Sequence, residues 1–234
     1  MTDLKTETPI VLVPGFLCDE RLWSYQLRFL SPSAPCTVVD LRYKKTLEEM
    51  VQALRAIPFP QFHLIGFSMG GYVSQAFAAQ YPERLHQLVL IGTTGASLSE
   101  KEIKSRLRMK SLLEKVEYAG LSDAELKIYL HPNSYEKSEI RETVRAMAAS
   151  NTSEMYLGQM SATLNRQDFK AQLNRFPHQI TLIGGAQDKM APPEKMEALH
   201  QALPQSHLHL IEECGHFVPL EKPQELNDIL FEVL

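Results

Sequence analysis

Short apolar runs alternate along the chain with segments of helical periodicity. The six apolar runs that have the length and β-branched character of buried strands are residues 10–13, 37–40, 62–66, 87–92, 179–183 and 207–211. The main helical stretches between and after them are residues 20–30, 47–57, 68–80, 193–202 and 219–234. Because each stretch is long enough to cross between parallel strands, the alternation predicts the α/β class, with a mostly parallel sheet of about six strands flanked by helices.

The alternation stops between residues 97 and 176, where strand-like runs give way to charged helical patterns. The helical patterns in this part are residues 102–118, 124–130, 138–149 and 153–164. Their polarity indicates an insertion that lies over the sheet as a lid and does not join the core. We therefore expect a sheet domain formed by residues 1–96 and 177–234, with a helical lid at 97–176.

Composition and charge narrow the function classes. The 234 residues are 44% hydrophobic and 22% charged, as in ordinary globular domains, and the formal charge of −4 comes without any block of Lys and Arg. This balance argues against nucleic acid or anionic lipid as a partner. No apolar run is long enough for a membrane span and the first residues lack an apolar signal segment, so we expect a cytoplasmic monomer or homodimer acting on a small molecule.

The strongest chemical motif is the G-x-S-x-G of Gly66-Phe67-Ser68-Met69-Gly70, which follows an apolar strand and precedes an Ala-rich helix. A serine on such a tight strand-to-helix turn needs small residues two positions before and after it. The alternative is a glycine-rich turn in which Ser68 only caps the helix. The order strand, motif, helix favours Ser68 as a nucleophile, with the helix N-terminus stabilising negative charge beside it.

A serine nucleophile requires a base and a carboxylate that orients the base. His216 is the candidate base, in a loop after the last predicted strand, and Asp188 is the candidate acid, in the loop after the fifth. Asp168 is the second candidate for the acid, and Asp40 is expected to hold a turn. The order serine, acid, histidine along the chain is the one that this arrangement follows on parallel sheets.

The sequence gives little support for a metal site or a bound cofactor. His207 and His209 are two residues apart on one strand face, but no third ligand is spaced nearby, so no metal is expected. No nucleotide-binding motif is present and the chemistry needs no cofactor. The three cysteines, Cys18, Cys36 and Cys214, are expected to be free thiols, and a catalytic cysteine is the less favoured alternative to Ser68.

Together these motifs resemble the α/β-hydrolase superfamily, in particular its small bacterial esterase and lactonase-like branch, over nearly the whole chain. Residues 66–71 are similar to the nucleophile elbow, residues 184–188 to the acid loop, and residues 215–217 with 221–223 to the histidine segment. The resemblance implies that the backbone N–H groups of Phe16 and Met69 form an oxyanion hole, although Pro14 stands where the family usually has His. It also implies a structural role for Trp23.

Two features depart from the family pattern. Only nine residues precede Ile10, so the antiparallel hairpin that often opens the fold is expected to be missing. Residues 40–43 lack the Gly-x-Gly that commonly follows the aspartate, which is expected to reshape one wall of the pocket.

The function that follows is hydrolysis of a small or medium carboxylic ester, or a related thioester or lactone, through an acyl-enzyme on Ser68. Five methionines are candidates to line an adaptable apolar cleft, although core packing is the favoured role for any single one of them: Met109, Met147, Met155, Met160 and Met190. One alternative is a cofactor-free lyase or C–C bond hydrolase of the same superfamily; the menaquinone-pathway synthase has an arginine where this chain has Tyr72. Another is a receptor with a vestigial site.

Overall fold

Six parallel strands form one sheet in the computed structural model, which describes residues 6–234. The strands are β1 (Ile10–Val13), β2 (Cys36–Val38), β3 (Phe62–Phe67), β4 (Leu85–Ile91), β5 (Ile180–Gly185) and β6 (Ser206–Ile211). Their order across the sheet is β2-β1-β3-β4-β5-β6, and every neighbouring pair is parallel. The predicted α/β class and strand count are therefore confirmed, with each strand boundary within two residues of its predicted position.

The strand order reverses between β1 and β3. The chain first moves outward from β1 to β2 and then returns to the other side of β1, where Val13 pairs with Gly66 at the carboxyl ends of the two strands. Open parallel sheets bind their ligands at such a reversal, because the loops that leave the two strands diverge there and open a crevice. The sheet thus brings Pro14 to Phe16 and Ser68 to the same place.

Both faces of the sheet are buried, which explains the continuous apolar runs of the strands. Leu64 and Leu88 belong to a hydrophobic cluster on one face, whereas Ile65 and Val89 belong to a cluster on the other. Alternate residues of each strand therefore pack against two different layers of helices.

Twelve α-helices surround the sheet within the described residues. They are α1 (Ser24–Leu30), α2 (Leu47–Arg55), α3 (Met69–Gln80), α4 (Glu100–Leu113), α5 (Asp123–Tyr129), α6 (Pro132–Glu136), α7 (Ser138–Ala149), α8 (Ser153–Ala162), α9 (Lys170–Leu173), α10 (Pro193–Ala202), α11 (Val218–Glu221) and α12 (Pro223–Val233). A 3₁₀ turn at Glu20–Trp23 leads into α1. The predicted C-terminal helix is divided at Lys222, because Pro223 lacks an N–H to continue a helix and starts a new one.

The segment between β4 and β5 contains six helices, α4 to α9, two more than predicted. The expectation that this segment stays out of the core is wrong for several of its side chains. Leu126 and Met147 are fully buried in one hydrophobic cluster, and Phe169 and Leu173 are buried in the other. Each of these helices has one apolar side that the high overall polarity of the segment concealed, and burial of that side anchors the segment to the sheet.

Two further expectations concern membranes and thiols. No helix among residues 6–234 is both long and apolar enough to cross a membrane. Cys18, Cys36 and Cys214 are free thiols, as predicted.

Candidate active site

Ser68 lies on a sharp turn between β3 and α3, with φ +53° and ψ −112°. A non-glycine residue adopts such angles only where the surrounding structure holds it there. Two neighbouring glycines leave the necessary space. A Cβ on Gly66 would lie 2.7 Å from the carbonyl oxygen of Gly70, and a Cβ on Gly70 would collide with the carbonyl oxygens of Val13 and Pro14. The G-x-S-x-G motif therefore marks a turn that only glycine permits at both positions.

Ser68, His216 and Asp188 form one hydrogen-bonded line. The Oγ atom of Ser68 lies 2.9 Å from Nε2 of His216, and Nδ1 of the same ring lies 2.7 Å from Oδ2 of Asp188. An ionised Asp188 can only accept a hydrogen bond, which assigns the ring proton to Nδ1 and leaves Nε2 to accept from the serine hydroxyl. Ser68 and His216 are 148 residues apart in the sequence, and His216 and Asp188 are 28 residues apart. Their hydrogen bonds orient the three side chains for proton transfer away from Ser68.

Asp188 is held by the backbone of its own loop. Its Oδ1 accepts the N–H groups of Met190 at 2.7 Å and Ala191 at 3.0 Å, and the residue is only 2% exposed. Burial acts to raise the pKa of the Asp188 carboxyl, but His216 and the two N–H donors outweigh burial and keep this pKa below its ordinary value. The carboxylate is therefore charged at neutral pH and can fix the orientation of the imidazole.

A second buried carboxylate, Glu221, holds the loop that carries His216. Its Oε2 accepts the N–H groups of Gly215 and His131, and its Oε1 accepts the N–H of Phe217. Burial raises the pKa of this carboxyl, against the effect of these donors. Glu221 therefore brackets the histidine on both sides and ties its loop to the segment between β4 and β5. The sequence motif included Glu221 without indicating this contact.

The turn after β1 faces Ser68. Gly15 accepts the N–H of Cys18 at 3.2 Å, and Leu17 within this turn has φ +59°. Phe16 and Met69 both line the cleft beside Ser68. Within the described residues the N–H of Phe16 has no acceptor, and the N–H of Met69, as the first helical residue of α3, has none within its helix. Both predicted oxyanion donors are therefore free to bind a ligand atom.

Two buried amides from the segment between β4 and β5 hold this turn in place. Gln159 Oε1 accepts the N–H of Leu17 at 2.9 Å, and Asn151 Nδ2 donates to the carbonyl oxygen of Leu17 at 3.1 Å. Gln159 is 1% exposed and Asn151 is 5% exposed. Sequence reasoning missed both residues, since nothing local separates them from other polar residues on helices.

The cleft above Ser68 has a volume of about 140 Å³ and mixes apolar with charged walls. Its apolar walls include Leu17, Phe67, Leu98, Leu121 and Val144. Of the five methionines proposed to line it, only Met190 does so. The other proposed methionines do not reach it: for example, Met147 and Met160 are buried in packing contacts. The expectation of a methionine-rich cleft is therefore wrong.

The remaining candidates lie outside this arrangement. Asp168 is exposed and binds Lys170 through that residue's N–H and ammonium group, so it does not contact His216. Asp40 accepts the N–H of Arg42, as expected for a residue that holds a turn. Residues 6–234 contain no group of three or more His, Cys, Asp or Glu side chains placed to hold a metal ion.

The cysteines are also poor nucleophiles in this fold. Burial raises the pKa of Cys18 and of Cys214, so that neither thiol is ionised at neutral pH. Ser68 is the hydroxyl in the cleft that has a base within hydrogen-bond distance.

Comparison with known proteins agrees with the fold. The model of the family described as "alpha/beta hydrolase fold" matches residues 13–223. Monoacylglycerol lipase ABHD6 of Bos taurus is 24% identical over 254 residues, covering 96% of this chain and 74% of the lipase. A 2-hydroxy-6-oxo-6-phenylhexa-2,4-dienoate hydrolase of Comamonas testosteroni is 26% identical over 186 residues, covering 76% of this chain and 64% of that enzyme.

Among solved structures, a thermophilic esterase from Thermogutta terrifontis, determined with malate bound, superposes with a TM-score of 0.86. It is 26% identical, and the match covers 97% of this chain and 89% of the esterase.

Proposed function

Since the chain belongs to the alpha/beta hydrolase fold family, we propose that it is a serine hydrolase that cleaves a small or medium carboxylic ester through an acyl-enzyme on Ser68. The observation that carries this proposal is the hydrogen-bonded line from Asp188 through His216 to Ser68, at the foot of a cleft that also presents the free amides of Phe16 and Met69. Similarity to an esterase and a lipase supports an ester as the substrate in preference to other acyl compounds.

The first half of the reaction forms the acyl-enzyme. Ser68 Oγ attacks the ester carbonyl carbon while His216 Nε2 takes the hydroxyl proton, and the carbonyl oxygen becomes an oxyanion held by the N–H groups of Phe16 and Met69. Asp188 stabilises the imidazolium that results. When the tetrahedral intermediate collapses, the C–O bond to the alcohol breaks and His216 returns its proton to the leaving alkoxide.

The second half repeats these roles with water. His216 removes a proton from a water molecule, which attacks the acyl carbon, and the new oxyanion occupies the same two amides. Collapse breaks the bond to Ser68, which regains its proton from His216, and the carboxylic acid leaves. None of these steps needs a group beyond the residues named.

The segment at 97–176 is proposed to act as a lid that selects the substrate. Leu98, Leu121 and Val144 from this segment line the cleft, and the same segment supplies Gln159 and Asn151 to the turn that carries Phe16. Substrate contacts and the position of one oxyanion donor thus depend on the same segment of the chain.

The test is covalent labelling by a fluorophosphonate probe together with turnover of matched ethyl esters, thioesters and lactones. We expect labelling and ester turnover in the original protein and loss of both in Ser68→Ala, with unchanged thermal unfolding. Turnover that survives in Ser68→Ala would show that the proposed nucleophile is wrong.

A second candidate function is hydrolysis of a C–C bond, which similarity to the Comamonas testosteroni dienoate hydrolase favours. A 2-hydroxy-6-oxo-dienoate added to the same panel separates the two candidates. A kcat/KM for this compound that exceeds every ester by tenfold or more would assign the chain to C–C bond hydrolysis.

A further inference from the structure

Two arginines line the cleft that contains Ser68, and neither forms an ion pair with a carboxylate of the described residues. Arg106 projects from α4, and Arg166 lies in the loop between α8 and α9. Nη1 of Arg106 donates to the carbonyl oxygen of Thr163 at 3.2 Å and to its hydroxyl at 3.0 Å. Among residues 6–234, no carboxylate oxygen lies within 4.0 Å of a nitrogen of either guanidinium. Half-buried cations without a counter-ion are costly, which points to a ligand that supplies the negative charge.

Arg166 packs over a side chain of the helix that starts directly after Ser68. Its guanidinium carbon is 5.0 Å from the centroid of the Tyr72 ring, and Tyr72 follows Ser68 by one helical turn, with its N–H bonded to the carbonyl oxygen of Ser68 at 3.1 Å. Arg166 and Ser68 line the same cleft, so the positive charge of Arg166 acts on the space in which the nucleophile lies. The Nε atom of Arg166 is buried and has no hydrogen-bond partner.

Both arginines remain charged despite their surroundings. Burial, together with the nearby charge of Arg106, lowers the pKa of Arg166 to about 10, and burial also lowers the pKa of Arg106. A group with a pKa of about 10 still carries its proton at neutral pH. The cleft therefore presents two positive charges.

Glu102 and Lys195 are the other charged residues of the cleft wall. Glu102 Oε2 accepts the N–H of Ser99 at 2.7 Å and its hydroxyl at 2.6 Å, and Oε1 lies 3.8 Å from Nζ of Lys195. Glu102 is thus engaged at the start of α4 and by a lysine, and its charge also acts on Arg106 and Arg166 from beyond ion-pair distance. Three positive charges against one negative charge leave an excess of two positive charges in a cleft whose other walls are largely apolar.

We infer that Arg106 and Arg166 bind a carboxylate of the substrate, so that the substrate is a half-ester of a dicarboxylic acid or another ester with a free carboxylate. This inference rests on the proposed ester hydrolysis at Ser68. The planar guanidinium matches two carboxylate oxygens, and its charge-assisted hydrogen bonds are stronger than neutral ones. The apolar walls would contact the alkyl chain between the carboxylate and the ester. Phosphate shares this anion chemistry and is separated from carboxylate by the binding test below.

The kinetic test compares two esters of equal acyl length, monoethyl adipate and ethyl hexanoate, which differ in the terminal carboxylate. We expect kcat/KM to be at least about tenfold higher for monoethyl adipate. Arg106→Met and Arg166→Met should each lower kcat/KM for this half-ester by about 10- to 100-fold, mainly through KM, and change it less than about threefold for ethyl hexanoate. Arg166→Lys should recover part of the loss, because it restores the charge.

Arg108→Met is the matched control, because Arg108 is exposed on the same helix and does not line the cleft. It should leave both esters unaffected, and thermal unfolding of all variants shows whether they fold. Equal turnover of the two esters by the original protein, or equal losses on both esters in the arginine variants, would overturn the inference.

A binding test separates this inference from the proposed function. Adipate, hexanoate and inorganic phosphate are titrated calorimetrically into the Ser68→Ala protein, with and without Arg106→Met and Arg166→Met. Tighter binding of adipate than of hexanoate, seen only when both arginines are present, would support the carboxylate site. This conclusion would hold even if no ester were turned over, because absent turnover would refute only the hydrolase proposal. Phosphate that binds more tightly than adipate, or adipate that does not bind while neutral esters are hydrolysed, would refute the carboxylate site alone.

Discussion

Replacement of Asp188 by Asn changes one atom in the hydrogen-bonded line and leaves the shape of the side chain intact. In the structure, Oδ1 of Asp188 already accepts two backbone N–H groups, at 2.7 Å and 3.0 Å, while Oδ2 faces Nδ1 of His216. An amide at this position keeps its oxygen on the two donors and therefore turns its NH₂ group toward the imidazole. The ring must then leave Nδ1 unprotonated, which places its proton on Nε2, the atom that has to accept from Ser68.

The expected effect is on turnover and not on the fold. Loss of the correct tautomer and of the charge that stabilises the imidazolium should lower kcat by about two to four orders of magnitude, equivalent to about 3–5 kcal/mol in the activation free energy. KM should change little, because Asp188 lies behind the imidazole. Since the pKa of Asp188 is lowered in the folded protein, its carboxylate stabilises the fold above the ordinary Asp pKa of about 4 and less so as the pH falls. Any loss of stability in Asp188→Asn should therefore shrink at acidic pH.

Asp168→Asn is the matched control, with the same substitution at an exposed carboxylate that binds Lys170. Its kcat should change less than about tenfold. Initial rates on an ethyl ester at neutral pH, measured beside thermal unfolding of all three proteins, compare the two sites. An Asp188→Asn protein that keeps kcat within tenfold of the original, or a larger loss in Asp168→Asn, would refute the assignment of the acid.

Four further predictions address the turn, the lid, the core and metals. Gln159→Leu leaves the N–H of Leu17 without its buried acceptor and should lower kcat by about tenfold or more together with the unfolding temperature; an unchanged kcat would count against a role in positioning the oxyanion turn. Leu121→Ala widens the cleft on the side formed by residues 97–176 and should shift preference toward longer acyl chains in a series of ethyl esters, whereas equal losses at every length would contradict a role in selectivity. Burial, with a smaller contribution from His86, lowers the pKa of His63 to about 4. Because protonation of His63 therefore opposes folding, the free energy of unfolding should fall by about 3 kcal/mol as the pH drops from 6.5 to 4. Urea unfolding of His63→Phe should lack this pH dependence. Dialysis against EDTA should leave activity unchanged, and activity that returned only with added zinc would contradict the mechanism proposed.

Local sequence patterns were sufficient for the sheet and for the turn that carries Ser68. The four inner strands are largely buried on both faces and the edge strands β2 and β6 partly so, and each appears as a short apolar run whose position needs no knowledge of its neighbours. The turn at Ser68 is equally local, because its strained angles need Gly66 and Gly70 within two residues. Asp188 and His216 could be selected because each lies in a loop directly after a predicted strand.

Tertiary structure alone decided which polar residues support the site and what lines the cleft. Gln159 reaches Leu17 across 142 residues, and Glu221 binds His131 across 90, so no pattern within a helix distinguishes them from polar residues that face solvent. The same reason explains two wrong predictions: several inserted helices bury one side against the sheet although their average composition is polar, and of the five proposed methionines only Met190 lines the cleft, whereas Met147 and Met160 are buried. Arg106 and Arg166 lie 60 positions apart and become a pair only because the insertion folds back over Ser68. Sequence determines elements whose cause is local, whereas long-range contacts depend on how these elements pack.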